Sequence, residues 1–272
     1  MTLPAFLGIG ALKAGTTSIH ALLDRHPQIA LPRDRKELMF FDRYWERGLP
    51  WYEAQFAHAA GRIAGEISPN YVFDPACPAR IAQVVPDVRL FLILRDPVDR
   101  AWSQYIHFRR EQGYEQSFEA FLAEHPNAIE RGMYAAQIRR YLDWFPADAL
   151  LTIRLEDLSA DPQPVVRALL RHIGADPMAP MPAPERQNPG ALPAAGRLWS
   201  AGRRVARWLY DHDLAGVVDL AKRAGVRDLL LRRRAAAPPS MSPATRARLE
   251  AHYAEDQAAL VSLVPVDLAR PG

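Results

Sequence analysis

The stretch Phe6 to Leu23, FLGIGALKAGTTSIHALL, constrains the fold more than any other part of the chain. Its apolar run from Phe6 to Ile9 has the length and texture of a buried strand. Beyond Gly10 and Gly15, Ile19, Leu22 and Leu23 recur at the spacing of one helix face. The stretch reads as strand, small-residue turn and helix. Lys13, Ala14, Gly15, Thr16, Thr17 and Ser18 lie where the helix begins, so an ammonium, a residue without a side chain and three hydroxyls gather at one point. The first amides of a helix have no acceptor within it and sit at the positive end of its dipole. Gly15 lets the backbone approach an oxyanion without a Cβ in the way. The expected cargo is a phosphate or a sulfate.

The turn is not a triphosphate loop of the G-x-x-x-x-G-K-[ST] kind, because Lys13 precedes Gly15 instead of following it. An ordinary glycine-containing strand-to-helix turn would explain the segment taken alone, so other segments have to decide. Val88 to Leu94, VRLFLIL, is a near-continuous apolar run that reads as a central parallel strand buried on both faces. Asp96 and Pro97 then open a helix with a side-chain cap and a proline in the first turn. Val98, Ala101, Trp102, Tyr105 and Ile106 form its apolar stripe.

Further strands are expected over Ile29 to Leu31, Arg62 to Ile67 and Leu150 to Leu155. Helices are expected from Tyr134 to Phe145 and from Pro162 to Ile173. A last helix starts at Ser242-Pro243, with Leu249, Tyr253, Leu260 and Val264 on one face. Strand and helix alternate, which predicts an α/β fold: one domain over residues 1–272 with a central parallel sheet flanked by helices. Asp176 to Pro193 is too rich in proline for regular structure. It leads into a basic, helical stretch from Arg197 to Arg234, and residues 176–240 are expected to serve as a lid over the substrate.

A chain of 272 residues suffices for one such domain, and its 49% hydrophobic and 24% charged residues are those of a globular protein. No apolar run is long enough to span a bilayer, and the N-terminus lacks the pattern of a secretory signal, so a cytoplasmic location is expected. A net charge of +3 does not argue for nucleic acid. The lone cysteine, Cys77, is read as a buried thiol without a role. No His, Cys, Asp or Glu cluster stands at ligand spacing, and no metal is expected.

A second anion site is written in Arg95-Asp-Pro-Val-Asp-Arg-Ala-Trp-Ser103, where a guanidinium at a strand end and a hydroxyl about two helical turns later can converge on one anion. Arg95 pairing with a carboxylate and Ser103 on the surface would be the plain structural alternative. Lys36-Glu37-Leu-Met-Phe-Phe-Asp42 sets a charged loop against aromatics and supplies a carboxylate able to take a proton.

Together these segments resemble the sulfotransferases that use 3′-phosphoadenosine 5′-phosphosulfate (PAPS), and in particular the heparan sulfate sulfotransferases and their bacterial relatives. Lys13 to Ser18 is similar to the family's 5′-phosphosulfate loop, Arg95 to Ser103 to its 3′-phosphate segment, and Lys36 to Asp42 to the segment that carries its glutamate base. Glu66-Ile-Ser-Pro-Asn-Tyr71 resembles the family's E-K-T-P-x-Y turn, with Ile67 where lysine is common.

The resemblance implies a P-loop-like sulfotransferase architecture, Glu37 as base and Lys13 at the bridging oxygen. The 5′-phosphate would be held by Lys13, Ala14, Gly15, Thr16, Thr17 and Ser18, and the 3′-phosphate by Arg95 and Ser103. Tyr134 would lie near the nucleotide, and Arg186 would belong to a late loop over the 3′-phosphate, although the family's basic, glycine-rich pattern is missing there. The implied donor is PAPS, the product adenosine 3′,5′-bisphosphate, and the acceptor a hydroxyl, or less readily an amine, of a carbohydrate, lipid or small natural product. No histidine stands in the Glu66 turn, which leaves Glu37 as base, and His107 is assigned a structural or substrate-edge place.

Two other readings stay open on the residues alone. A small-molecule or nucleotide kinase would share the sheet but needs a triphosphate loop and a metal-binding aspartate at a strand end. A non-catalytic protein could instead dock residues 197–234 on an anionic membrane or polymer.

Overall fold

The computed structural model describes residues 2–179 and 240–263. Five strands form one sheet: β1 (Phe6–Gly10), β2 (Ile29–Ala30), β3 (Ile63–Ile67), β4 (Arg89–Leu94) and β5 (Leu150–Arg154). All pair in parallel, in the order β2-β3-β1-β4-β5, so β1 lies at the centre. Every residue of β1 is buried, and so is β4 apart from Arg89, as expected of strands covered on both faces.

Helices supply the crossovers, α1 (Thr16–Leu23), α2 (Gly48–Ala54), α3 (Cys77–Val84), α4 (Pro97–Gln112), α5 (Phe118–Glu124), α6 (Asn127–Glu130) and α7 (Tyr134–Leu142), and α8 (Leu155–Ala160), α9 (Pro162–His172) and α10 (Pro243–Leu263) follow the last strand. The main core lies on the sheet. A second cluster joins Val98, Ala101 and Tyr105 of α4 to Phe118 and Phe121 of α5 and to Leu249 and Tyr253 of α10. No helix among the described residues is long and apolar enough to cross a membrane.

The alternating α/β reading stands, with α3, α5, α6 and α8 added between the elements that periodicity reveals. Two stripes need correcting: on α4 the expected Trp102 and Ile106 are only half-buried, while Arg100 and Gln104 join the buried face. The buried face of α10 runs through Thr245, Leu249, Tyr253 and Asp256, and the expected Leu260 is only half-buried. The two polar members are buried because each bonds to another element: Thr245 to Glu119 and Asp256 to the start of α7. Arg186, the expected membrane-docking stretch 197–234, Val264 and most of the expected lid lie outside the described residues.

Candidate active site

Lys13 to Ser18, Ser68 to Tyr71 and Arg95 follow the carboxyl ends of β1, β3 and β4, where the loops of a parallel sheet carry its ligand sites. The register of β1 against β4 slips between Gly8 and Gly10, placing a bulge where the strand runs into the turn. The amide of Ala11 then donates to the carbonyl of Ile93 at 2.9 Å, and that of Ala14 to Ala11 at 3.1 Å. Lys13 has φ +70° and Gly15, the N-cap of α1, has φ +89°. A Cβ on Gly15 would stand 2.8 Å from Cδ1 of Leu155, a side-chain end that can shift, so it is the backbone conformation that favours glycine here. No side chain caps α1, and with the Ser18 amide turned back to the Gly15 carbonyl at 3.0 Å it is the amides of Thr16 and Thr17 that suit an anion.

Four cations surround this turn. Arg95 donates through Nη1 to the carbonyl of Lys13 at 3.1 Å, linking the β4 end directly to the cradle. Lys36 donates through Nζ to Oγ1 of Thr17 at 2.8 Å and lies 3.4 Å from Oε1 of Glu37. Burial lowers the pKa of the half-buried Lys13 ammonium, and Arg110 and Arg95 lower it further, while Glu111 and Glu37 oppose them. The carboxylate expected to act as base is joined to the cradle through Lys36, which reaches both Glu37 and Thr17. Glu37 is 34% exposed in its side chain, enough to meet a substrate.

Thr16 is buried in the first turn of α1, Thr17 and Ser18 are exposed, and Ala14 is buried beneath the turn. Ser103 is half-buried on α4. Tyr134 opens α7 and is only 1% exposed, its hydroxyl buried without a hydrogen-bond partner among the described residues, and burial raises its pKa. Cys77 is buried, and burial pushes its thiol pKa far up. Ile67 is fully buried and supplies no cation.

Two further cations belong to the site. Lys36 stands beside Glu37 in sequence, a signal available from the motif. Arg110 follows Ser103 by seven residues and His107 by three on α4, which puts all three on one face.

The model of the sulfotransferase domain matches residues 4–182. The chain belongs to the sulfotransferase domain family. It is similar to the human bifunctional heparan sulfate N-deacetylase/N-sulfotransferase 3, at 33% identity over 64% of this chain and 23% of that protein. It is also similar to the human heparan sulfate glucosamine 3-O-sulfotransferase 6, at 32% identity over 58% of this chain and 48% of that protein. The chain thus spans less than half the length of either. A solved sulfotransferase from Alicyclobacillus acidocaldarius superposes with a TM-score of 0.72 at 26% identity, covering 98% of each chain. The open parallel sheet with flanking helices is the P-loop-like fold of sulfotransferases.

Proposed function

We propose that this sulfotransferase domain transfers the sulfuryl group of PAPS to an acceptor hydroxyl by in-line displacement, with Glu37 as base. The observation that carries the reading is that Arg95 and the half-buried Glu37 are both tied to the turn before α1, Glu37 through Lys36. Arg95 bonds the Lys13 carbonyl, and Lys36 spans from Thr17 to Glu37. The cradle amides, Thr16, Thr17 and Ser18 hold the 5′-phosphate side, and Arg95 and Ser103 hold the 3′-phosphate.

As the acceptor oxygen bonds to sulfur, Glu37 takes its proton. The bond from sulfur to the bridging oxygen breaks, and Lys13 offsets the charge that stays on the departing adenosine 3′,5′-bisphosphate. Lys36 is placed to share that charge with Lys13. The names of the relatives support a glycan acceptor, with the N-sulfotransferase keeping an amine in view. A small-molecule acceptor fits the same chemistry.

Calorimetric titration with adenosine 3′,5′-bisphosphate, run beside AMP and Mg-ATP, tests the donor. Binding that requires the 3′-phosphate and weakens in Arg95→Ala supports the reading, and preference for Mg-ATP sinks it. Glu37→Gln should lower kcat by about a hundredfold or more while nucleotide affinity stays nearly unchanged. A fully active variant would remove Glu37 from the role of base.

A further inference from the structure

Glu66 ends its strand in the core, 0% exposed, and its carboxylate is met by three hydroxyls. Tyr52 donates to Oε1 at 2.7 Å, Tyr71 to Oε1 at 2.9 Å and Ser68 to Oε2 at 2.7 Å. A buried carboxylate is costly to keep, and an ionised one can only accept hydrogen bonds. Ser68 Oγ and Tyr71 Oη are themselves met by amide donors, so their protons point at Glu66, as does that of Tyr52, and their lone pairs face away from it.

Those lone pairs receive consecutive amides of another segment. Ser68 Oγ accepts from the amide of Met39 at 3.0 Å, and Tyr71 Oη accepts from Phe40 at 2.8 Å and from Phe41 at 3.4 Å. These amides follow Glu37 by two to four residues, in a stretch that belongs to no strand or helix and has no ladder of its own. Met39 adopts φ +52°, a conformation that a non-glycine residue keeps only where its surroundings enforce it. The rings act in the same sense: Phe40 stacks on Tyr52 at 4.3 Å between centroids, and Phe41 meets Tyr71 edge-on at 5.4 Å.

The same group is registered to the cradle. Glu66 pairs with Leu7 of β1, and the amides of Ser68 and Val72 donate to the carbonyls of Gly8 and Ile9, each at 2.9 Å.

We infer that Glu66 is the positioning residue of this site: through the hydroxyls of Tyr71 and Ser68 it fixes Met39 to Phe41, and so sets where Glu37 stands relative to the anion cradle. Glu66 is closed off from any acceptor and takes no proton from one. The inference rests on the reading of Glu37 as base, but the held segment can be observed without any acceptor.

The test uses the whole protein with Glu66→Gln and Tyr71→Phe. The second variant keeps its ring packed and removes one oxygen, so it carries the test if the first fails to fold. Each should speed hydrogen exchange at residues 39–41 by about tenfold or more, as expected when buried amides lose their acceptor, with α1 unchanged. Adenosine 3′,5′-bisphosphate affinity should stay within about twofold. Transfer from PAPS to a heparosan oligosaccharide, or to water if that probe is refused, should fall by about ten- to a hundredfold in kcat at unchanged KM for PAPS. Combined with Glu37→Gln, neither variant should cost anything more, because residues acting through one group are not additive.

Unchanged exchange at 39–41, losses that multiply with Glu37→Gln, or nucleotide affinity that collapses alongside kcat would each overturn the inference. If Glu37→Gln itself proves fully active, the base assignment falls, and the exchange result alone decides whether Glu66 holds the segment.

Discussion

Burial pushes the Glu66 carboxyl from its ordinary value of 4.5 up to about 7, against the hydroxyls of Ser68, Tyr52 and Tyr71, which favour the ionised form, and with a small push from Asp42. Its folded pKa lies above its unfolded one, so between these values the native state binds more protons. The stability Glu66 contributes is complete below about pH 4.5 and is lost as pH rises to about 7. Urea unfolding of the wild type and of Glu66→Gln across pH 4.5 to 8 should therefore show the wild type losing roughly 1–3 kcal/mol relative to the variant by pH 7, then levelling. A constant difference would mean that Glu66 titrates as an ordinary carboxyl. Lys13, Arg95 and Glu37 were legible because each stands in a short motif whose neighbours already state its chemistry. Glu66 was legible only as part of a turn, since the donors that define its role come from positions 52, 68 and 71 and meet only after folding.

Among the elements, α10 shows how a sequence pattern can mislead and still place a helix correctly. Asp256 accepts from the amides of Ala135 at 3.0 Å and Ala136 at 3.2 Å, and so caps α7, whose own N-cap position makes no side-chain bond. Tyr253 donates to the Ile129 carbonyl at 3.0 Å, and Arg246 pairs with Asp99 on α4. An apolar periodicity cannot announce a buried aspartate, because its partner is a helix end far away in sequence. Asp256→Ala should lower stability by about 1–2 kcal/mol and speed exchange at Ala135 and Ala136 ahead of the sheet amides. Urea midpoints and amide exchange check both. The short helix α5 was within reach of pattern reading: Ser117 caps it, and Phe118, Phe121 and Leu122 follow at helical spacing.

For the whole molecule, alternation of strand and helix sufficed for the class of fold, and the apolar runs of β1 and β4 for its middle. The order β2-β3-β1-β4-β5 was not legible, since it depends on which strands pair across long crossovers. A ligand that joins the β1 turn to the β4 end should stiffen that middle. At a hundred times its Kd, adenosine 3′,5′-bisphosphate is expected to add about 2.7 kcal/mol and raise Tm by roughly 5–10 °C, and AMP much less. Thermal unfolding with each nucleotide checks it, and equal shifts would deny the 3′-phosphate its part. The cap on α7 has one more consequence, for synthesis. Asp256 lies 121 residues beyond the first amide it holds, so a ribosome can deliver every strand of the sheet while α7 still lacks its cap. The start of α7 is thus completed only after the whole sheet has been made.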